Sequence, residues 1–228
     1  MVVGNGLIAK LFSSYLDSED VLIFASGVSN STETDIKKFQ REFDLLKKII
    51  VNFPEHQLIY FSTLSIEDKS VKERPYIKHK LQLEKYISNN SSKYLISRVS
   101  NVIGLEGNPN TIVNYLVNAV KNNLKIDVWS KAERNVIGAE DVKFIVDELI
   151  KKGVVNKTIN IASKECFLVT GIVKQIELYL QKKARVTYLD KGNTLNIDIL
   201  DISLELEYVE KKHGKGVKYL QSLLKKYY

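Results

Sequence analysis

Tyr76 and Lys80 stand four residues apart in Pro75-Tyr76-Ile77-Lys78-His79-Lys80. On a helix that spacing sets both side chains on one face. Pro75 suits the first helical position, where an amide has no intrahelical partner to lose. Upstream, Leu58-Ile59-Tyr60-Phe61 reads as a buried strand that runs out on the hydroxyls Ser62 and Thr63. A tyrosine with a free pKa of ~10 is a poor base at neutral pH, and a neighbouring cation stabilises its phenolate. With a hydroxyl at a strand end beside it, the pair has the parts for proton transfer at a substrate oxygen. By itself the spacing favours the plainer reading, a surface lysine and a half-buried tyrosine, so the elements that position the two residues decide the matter.

Those elements begin at the first residues. Val2-Val3 leads into Gly4-Asn5-Gly6-Leu7-Ile8-Ala9, and Leu7, Ile8, Leu11, Phe12, Tyr15 and Leu16 continue as a helical face of about three turns. A glycine turn of this pattern between a strand and a helix is a dinucleotide fingerprint. Gly4 allows the tight turn, Gly6 lets the backbone approach a pyrophosphate, and the helix N-terminus supplies amides. Ala9 is small enough for close helix–sheet packing. A second strand carrying an acid roughly 20 residues beyond the glycines would complete such a unit. Here the chain runs through Asp17-Ser18-Glu19-Asp20 directly into Val21-Leu22-Ile23-Phe24-Ala25, with no room for another crossover, so Glu19 and Asp20 read as solvent-facing turn residues. The two-valine strand gives only about 7 Å of ladder. Such brevity fits either a start set too late or natural trimming.

The strand at 21–25 ends in a polar loop, Ser26 to Ser31. A helix over about 35–50 follows with Ile36, Phe39, Phe43, Leu46 and Ile50 on one face, then the strand at 58–61. Short strands alternating with helices imply a mostly parallel sheet covered on both faces, whose ligands sit beyond the strand C-termini. Residues 64–74 read as a polar connection and 75–88 as the helix of Tyr76 and Lys80. Residues 94–99 read as a strand whose end would place Asn101 on the rim of Thr63. The pattern continues with a helix opened by Asn108-Pro109, a strand at 124–129 and an extended polar loop at 130–139. A helix from Asp141, a strand at 157–161, a helix at 167–180 and a strand at 184–189 follow. Residues 195–201 alternate as a short strand would, and 204–228 form one or two helices packed through Leu220, Leu223 and Leu224. Residues 1–104 and 105–228 are the expected division, with some later elements returning to the main sheet.

The totals narrow the classes. The formal net charge is +7, yet the lysines are spread along helices with acids nearby and no aromatic ladder interleaves them. This argues against nucleic acid and equally suits a phosphorylated small molecule. The single cysteine, Cys166, excludes an intrachain disulfide and a thiolate metal cluster, and no metal-ligand spacing appears. No run reaches the ~18 apolar residues of a membrane helix, and the first residues lack the order of a signal peptide. The cytoplasm is the expected setting.

With these pieces placed, the chain resembles the extended short-chain dehydrogenase/reductase family, in its branch of nucleotide-sugar reductases, epimerases and dehydratases. The matching pieces are the glycine turn at 4–9, Phe24-Ala25-Ser26, Tyr60-Phe61-Ser62-Thr63 and Pro75-Tyr76-x-x-x-Lys80 with Glu84. They continue with Arg98-Val99-Ser100-Asn101-Val102-Ile103-Gly104 and the stretch from Arg134 to Asp141. The resemblance implies an α/β, Rossmann-like NAD(P)-binding sheet, shortened by about two strands, with a small C-terminal substrate lobe. It implies Tyr76 as acid/base, Lys80 as the residue that lowers its pKa and holds the nicotinamide ribose, and Thr63 at the substrate's reacting oxygen. Gly4, Asn5, Gly6, Leu7, Ile8, Ala25, Ser26, Gly27 and Ser62 would line NAD or NADP. Asn101 would contact the sugar nucleotide or cap its own turn. Arg134 would meet a phosphate or stay solvated. Asp141 is expected to cap its helix, Glu84 to be structural, His79 to point away from the catalytic face, and Trp129 only to pack.

Three departures shape the expected activity. Leu64-Ser65 stands where the family's dehydratases carry an acid pair, which argues against elimination of water. Tyr76 follows Thr63 by 76 − 63 = 13 positions, a shorter connection than the family's, and the cofactor half lacks its second and third strands. A ketosugar reductase is the first expectation. The alternatives are a nucleotide-sugar epimerase, or a non-catalytic relative that binds a sugar nucleotide or a protein. The resemblance also raises a homodimer through surface helices.

Overall fold

The structure, a computed structural model, describes residues 1–105 and 107–228. Two compact units result: Met1–Val99 with Lys143–Ile161, and Ser100–Val142 with Ala162–Tyr228.

The first unit is built on a parallel five-stranded sheet. Its strands are β1 (Val2–Val3), β2 (Val21–Phe24), β3 (Gln57–Thr63), β4 (Tyr94–Val99) and β8 (Lys157–Ile161), in that spatial order. Every pairing is parallel. All four residues of β2 are buried, the continuous apolar run expected of a strand covered on both faces. The two-residue β1 is a terminal strand of the sheet, so the order begins where a full dinucleotide fold would carry two more strands.

Helix α1 (Leu7–Leu11) is shorter than its apolar pattern predicts. It gives way to a 3-10 turn at Ser13–Tyr15 that buries Phe12 and leaves Leu16 exposed. Phe12 packs 5.3 Å from the Phe61 ring, and the Tyr15 hydroxyl donates to Asp147 at 3.0 Å. Helix α2 (Ile36–Asn52) starts at Asp35, whose carboxylate accepts from the Lys37 amide at 2.9 Å. It buries Glu42, Leu46, Ile49 and Ile50 on one stripe. Helix α3 (Pro75–Asn90) opens with its proline as expected and buries Tyr76, Lys80, Leu83, Glu84 and Ile87. Leu46, Leu83 and Ile87 join Leu22, Phe24, Leu58, Tyr60 and Ile96 in one core cluster, which fixes α2 and α3 against the sheet. The connection at 64–74 holds two 3-10 turns, Leu64–Glu67 and Lys69–Val71, capped by Thr63 and Asp68.

The second unit carries β5 (Asn101–Ile103), β7 (Glu133–Gly138) and β9 (Cys166–Leu168) in one sheet, and β6 (Lys125–Trp129) parallel to β10 (Arg185–Leu189) in another. Its further helices are α4 (Ile112–Lys121), α6 (Val169–Leu180), α7 (Ser203–His213) and α8 (Val217–Tyr227). Helix α5 (Ala139–Lys151) follows β7 directly.

Several sequence expectations are corrected here. The loop predicted at 130–139 contains β7. Its Asn135 looked like a loop residue but is a satisfied buried amide, accepting from the Ser163 amide at 3.0 Å and donating to the Ser163 carbonyl at 2.8 Å. Asn108 caps a turn through the Asn110 amide, and the helix starts only at Ile112. The helix predicted from 167 is preceded by β9, and 195–201 contains no strand, only the start of a 3-10 turn at Leu200–Ile202. Trp129 is 44% exposed and is not a core residue. Leu220, Leu223 and Leu224 are buried as expected.

Among the described residues, no helix is long and apolar enough to cross a membrane, and no group of acids, histidines and cysteine could hold a metal ion.

Candidate active site

Three of the residues chosen from sequence meet in the first unit. The Lys80 ammonium lies 5.8 Å from the centre of the Tyr76 ring, one helical turn away. Thr63 ends β3, with its hydroxyl beside the Tyr76 phenol, whose ionised form it favours. The Thr63 Oγ1 accepts from the Ser65 amide at 3.2 Å, which leaves its own O–H to donate to the tyrosine oxygen. Burial pushes the Tyr76 phenol above its ordinary value. Lys80 and the Thr63 hydroxyl pull it down, and Glu42 adds to the rise. The net direction is opposite to the lowering that the Tyr–Lys spacing implied.

Burial is the main reason, and a smaller one is a residue that sequence reading passed over. Glu42 is fully buried on the inner stripe of α2, and its carboxylate accepts four hydrogen bonds. Oε1 takes the Lys80 ammonium at 2.8 Å and the Tyr60 hydroxyl at 2.9 Å; Oε2 takes the Val28 amide at 2.8 Å and His79 Nε2 at 3.0 Å. Against a carboxylate, His79 must carry its proton on Nε2. The ring stacks on Phe39 at 4.6 Å, so His79 does not point away but joins Lys80 on the same acid. Burial alone would raise the Glu42 carboxyl, but Lys80, His79 and the Val28 amide together bring it down to about 2. Lys80 also donates to the Tyr60 oxygen at 3.0 Å, and two of its three donors are thereby used. Burial, with Glu42 beside it, holds the Tyr60 phenol well above its ordinary value. Gly27 closes over this cluster: a Cβ there would lie 2.8 Å from both Glu42 Oε1 and Lys80 Nζ. The available signal was an acid on the stripe of Leu46, Ile49 and Ile50.

The glycine turn divides its labour. Gly4 sits at φ +131°, and a Cβ there would lie 2.4 Å from the Ala25 carbonyl oxygen, so this glycine serves the close pass of the turn against the end of β2. Gly6 is extended at the N-terminus of α1, and a Cβ there meets no protein atom within 4 Å. Asn5 is exposed, Leu7 and Ile8 are half-buried, and Ala25 and Ser26 are half-buried at the β2 end, where Arg41 donates to the Ser26 carbonyl at 2.9 Å.

Ser62 turns elsewhere. Its hydroxyl donates to Glu84 at 2.5 Å, and Glu84 is paired with Arg98 at 2.7 Å, so both serve a structural cluster. Asn101 and Arg134 lie in the second unit, where Asn101 donates to the Asn135 carbonyl at 2.8 Å and Arg134 to the Glu133 carbonyl at 2.6 Å. Asp141, on the first turn of α5, accepts from the Tyr219 hydroxyl at 2.7 Å and lies 3.3 Å from His213.

Residues 53–162, the segment that holds Thr63, Tyr76 and Lys80, match the NAD dependent epimerase/dehydratase family. That segment is similar to the family over just under half of the chain. Solved structures share the fold at low identity. A UDP-glucuronic acid 4-epimerase from Bacillus cereus superposes with a TM-score of 0.72 and 18% identity, over 97% of this chain and 78% of that one. A dTDP-glucose 4,6-dehydratase from Bacillus anthracis does so at 0.70 and 16%, over 98% and 78%. A protein called RMD from Pseudomonas aeruginosa does so at 0.69 and 13%, over 98% and 86%. A search of curated protein sequences finds no match.

Proposed function

We propose that the protein carries out NAD(P)-dependent oxidoreduction at a carbinol carbon of a nucleotide-linked sugar, as an epimerase. The observation that carries this reading is the meeting of Thr63, Tyr76 and Lys80 at the C-terminal edge of a parallel sheet. The family match, two neighbours named for sugar-nucleotide substrates and solved with NAD, and the neighbour RMD solved with NADPH favour it. The sequence had put a ketosugar reductase first; these similarities support the epimerase better.

The residues present fit a nicotinamide dinucleotide at the glycine turn. The space in front of Gly6 lets backbone approach a pyrophosphate, and the remaining donor of Lys80 is the group for a nicotinamide ribose. Hydride exchange is the chemistry such a cofactor supplies when bound. The chain's own part is the proton. Tyr76 gives a proton to the sugar oxygen or takes it back, while the Thr63 hydroxyl holds that oxygen in line. The Lys80 charge favours the phenolate whenever Tyr76 has given up its proton.

Loss of water would need a second acid and base beside the sugar. Leu64 is buried, the Ser65 amide is bonded back to Thr63, and Glu67 is paired with Arg98 at 2.7 Å. Dehydration is therefore not part of the proposal. A reductase remains the second reading, favoured by the raised Tyr76 phenol, since a standing proton donor suits the reduction of a ketosugar.

The test is incubation of the purified chain with a panel of UDP- and dTDP-hexoses, their 4-keto forms, and NAD(P)+ or NAD(P)H, with products read by NMR. Epimers without net change of cofactor are the expected result, lost in Tyr76→Phe. Net consumption of reduced cofactor selects the reductase. Turnover that survives Tyr76→Phe undiminished refutes the assignment.

A further inference from the structure

Glu42 gathers donors from four places in the first unit: Val28 in the loop after β2, Tyr60 on β3, and His79 and Lys80 on α3. It is a carboxylate with no exposure, set one residue beyond the ammonium that faces the Tyr76 ring. On the reading of Tyr76 as the acid/base group, we propose that Glu42 is the positioning residue of the Tyr76–Lys80 pair. Its carboxylate holds the Lys80 ammonium in place beside the Tyr76 ring and offsets its charge, adding to the effect of burial on Tyr76.

The groups that face this pair are few. From α3 come Lys80, His79 and, towards Tyr60, Glu84; from β3 come Tyr60 and Thr63; from α2 comes Glu42. Lys80 and the Thr63 hydroxyl favour a phenolate at Tyr76, while Glu42 opposes it through space and again by occupying Lys80. Gly27 leaves the ion pair no room to open towards its loop. The catalytic consequence has a direction. Protonation of a sugar oxygen is served by Tyr76 at neutral pH, whereas removal of a sugar hydroxyl proton is favoured as the pH rises.

A merely structural Glu42 would alter stability and leave the titration of Tyr76 where it is. The experiment follows that titration by NMR in the free protein, with isotope-labelled tyrosine and the signal assigned through Tyr76→Phe. In Glu42→Gln, Tyr76 is expected to titrate about one pH unit or more lower than in the wild type. An unchanged titration overturns the proposal. If Glu42→Gln does not fold, Glu42→Asp, which keeps the charge but draws it back from the Lys80 ammonium, is followed in its place. A lower titration of Tyr76 than in the wild type is expected, and an unchanged one overturns the proposal. No cofactor or substrate is needed. A shifted titration in a chain that turns over no sugar nucleotide would refute the oxidoreductase reading alone. In an active chain, the acid limb of the oxidative direction moves with the titration.

Discussion

Lys80→Met tests the buried network where its energetics are largest. The substitution keeps most of the side-chain volume and removes the cation that sits 2.8 Å from Glu42 Oε1. Glu42 keeps Tyr60, Val28 and His79 but becomes a carboxylate without exposure and without its lysine. Breaking a buried pair in this way costs about 3–5 kcal/mol. The carboxyl's own displacement, to which His79 and the Val28 amide also contribute, is of the same order. A fall from the ordinary 4.5 to about 2 corresponds to about 3 kcal/mol. For a chain of this size either figure lowers the melting temperature by about 6–20 °C. The sign of the pH dependence follows from the depressed value. The contribution is whole above about pH 4.5 and is lost as the pH falls towards 2. Melting curves of wild type and Lys80→Met, taken between pH 7 and pH 2.5, should therefore be far apart at neutral pH and converge in acid. Glu42→Leu/Lys80→Met, with neither charge buried, should recover much of the loss. Equal melting temperatures at neutral pH, or a gap that widens in acid, would refute the reasoning.

Other substitutions separate fold from function. Gly4→Ala forces a Cβ to within 2.4 Å of the Ala25 carbonyl at a positive φ and should cost about 1–3 kcal/mol in thermal or urea unfolding; Gly6→Ala, facing open space, should melt with the wild type. Tyr219→Phe removes a buried hydroxyl that accepts from the Gly138 amide at 2.9 Å and donates to Asp141, and should cost about 1–3 kcal/mol without touching Thr63, Tyr76 or Lys80. Thr63→Val removes the donor to Tyr76, so the tyrosine should titrate higher by NMR, and turnover of a sugar nucleotide should fall more than its KM rises.

The βαβαβ order, the parallel sheet and its missing strands were legible because they rest on long apolar runs between helical periods. β2 is an unbroken stretch of buried residues, β4 buries Leu95, Ile96, Ser97 and Val99, and α2 shows its stripe plainly. Tyr76, Lys80 and Thr63 were legible through spacing, since four residues on a helix and the end of a strand are local geometry. What was not legible was long-range polar pairing. Glu42 meets Lys80 across 38 residues of chain, and Asn135 meets Ser163 across 28, so neither contact leaves a local pattern. β7 was missed for the same reason: of its polar opening residues, Glu133 accepts from the Leu195 amide across 62 residues and Asn135 meets Ser163 across 28. His79 was misplaced because adjacency to Lys80 implied an opposite face, whereas the long lysine and the ring both reach the same carboxylate. Ser62 was assigned by position alone, and its hydroxyl is taken by Glu84.

The most direct test of the central claim is isothermal titration of the chain with NAD+, NADH, NADP+ and NADPH, on wild type and on Gly6→Val. The added valine atoms begin in open space, so the variant should fold with an unchanged melting temperature. Saturable binding of at least one cofactor by the wild type, abolished in Gly6→Val, is the expected result. Absence of heat from all four cofactors, or binding that Gly6→Val leaves intact, would contradict the account.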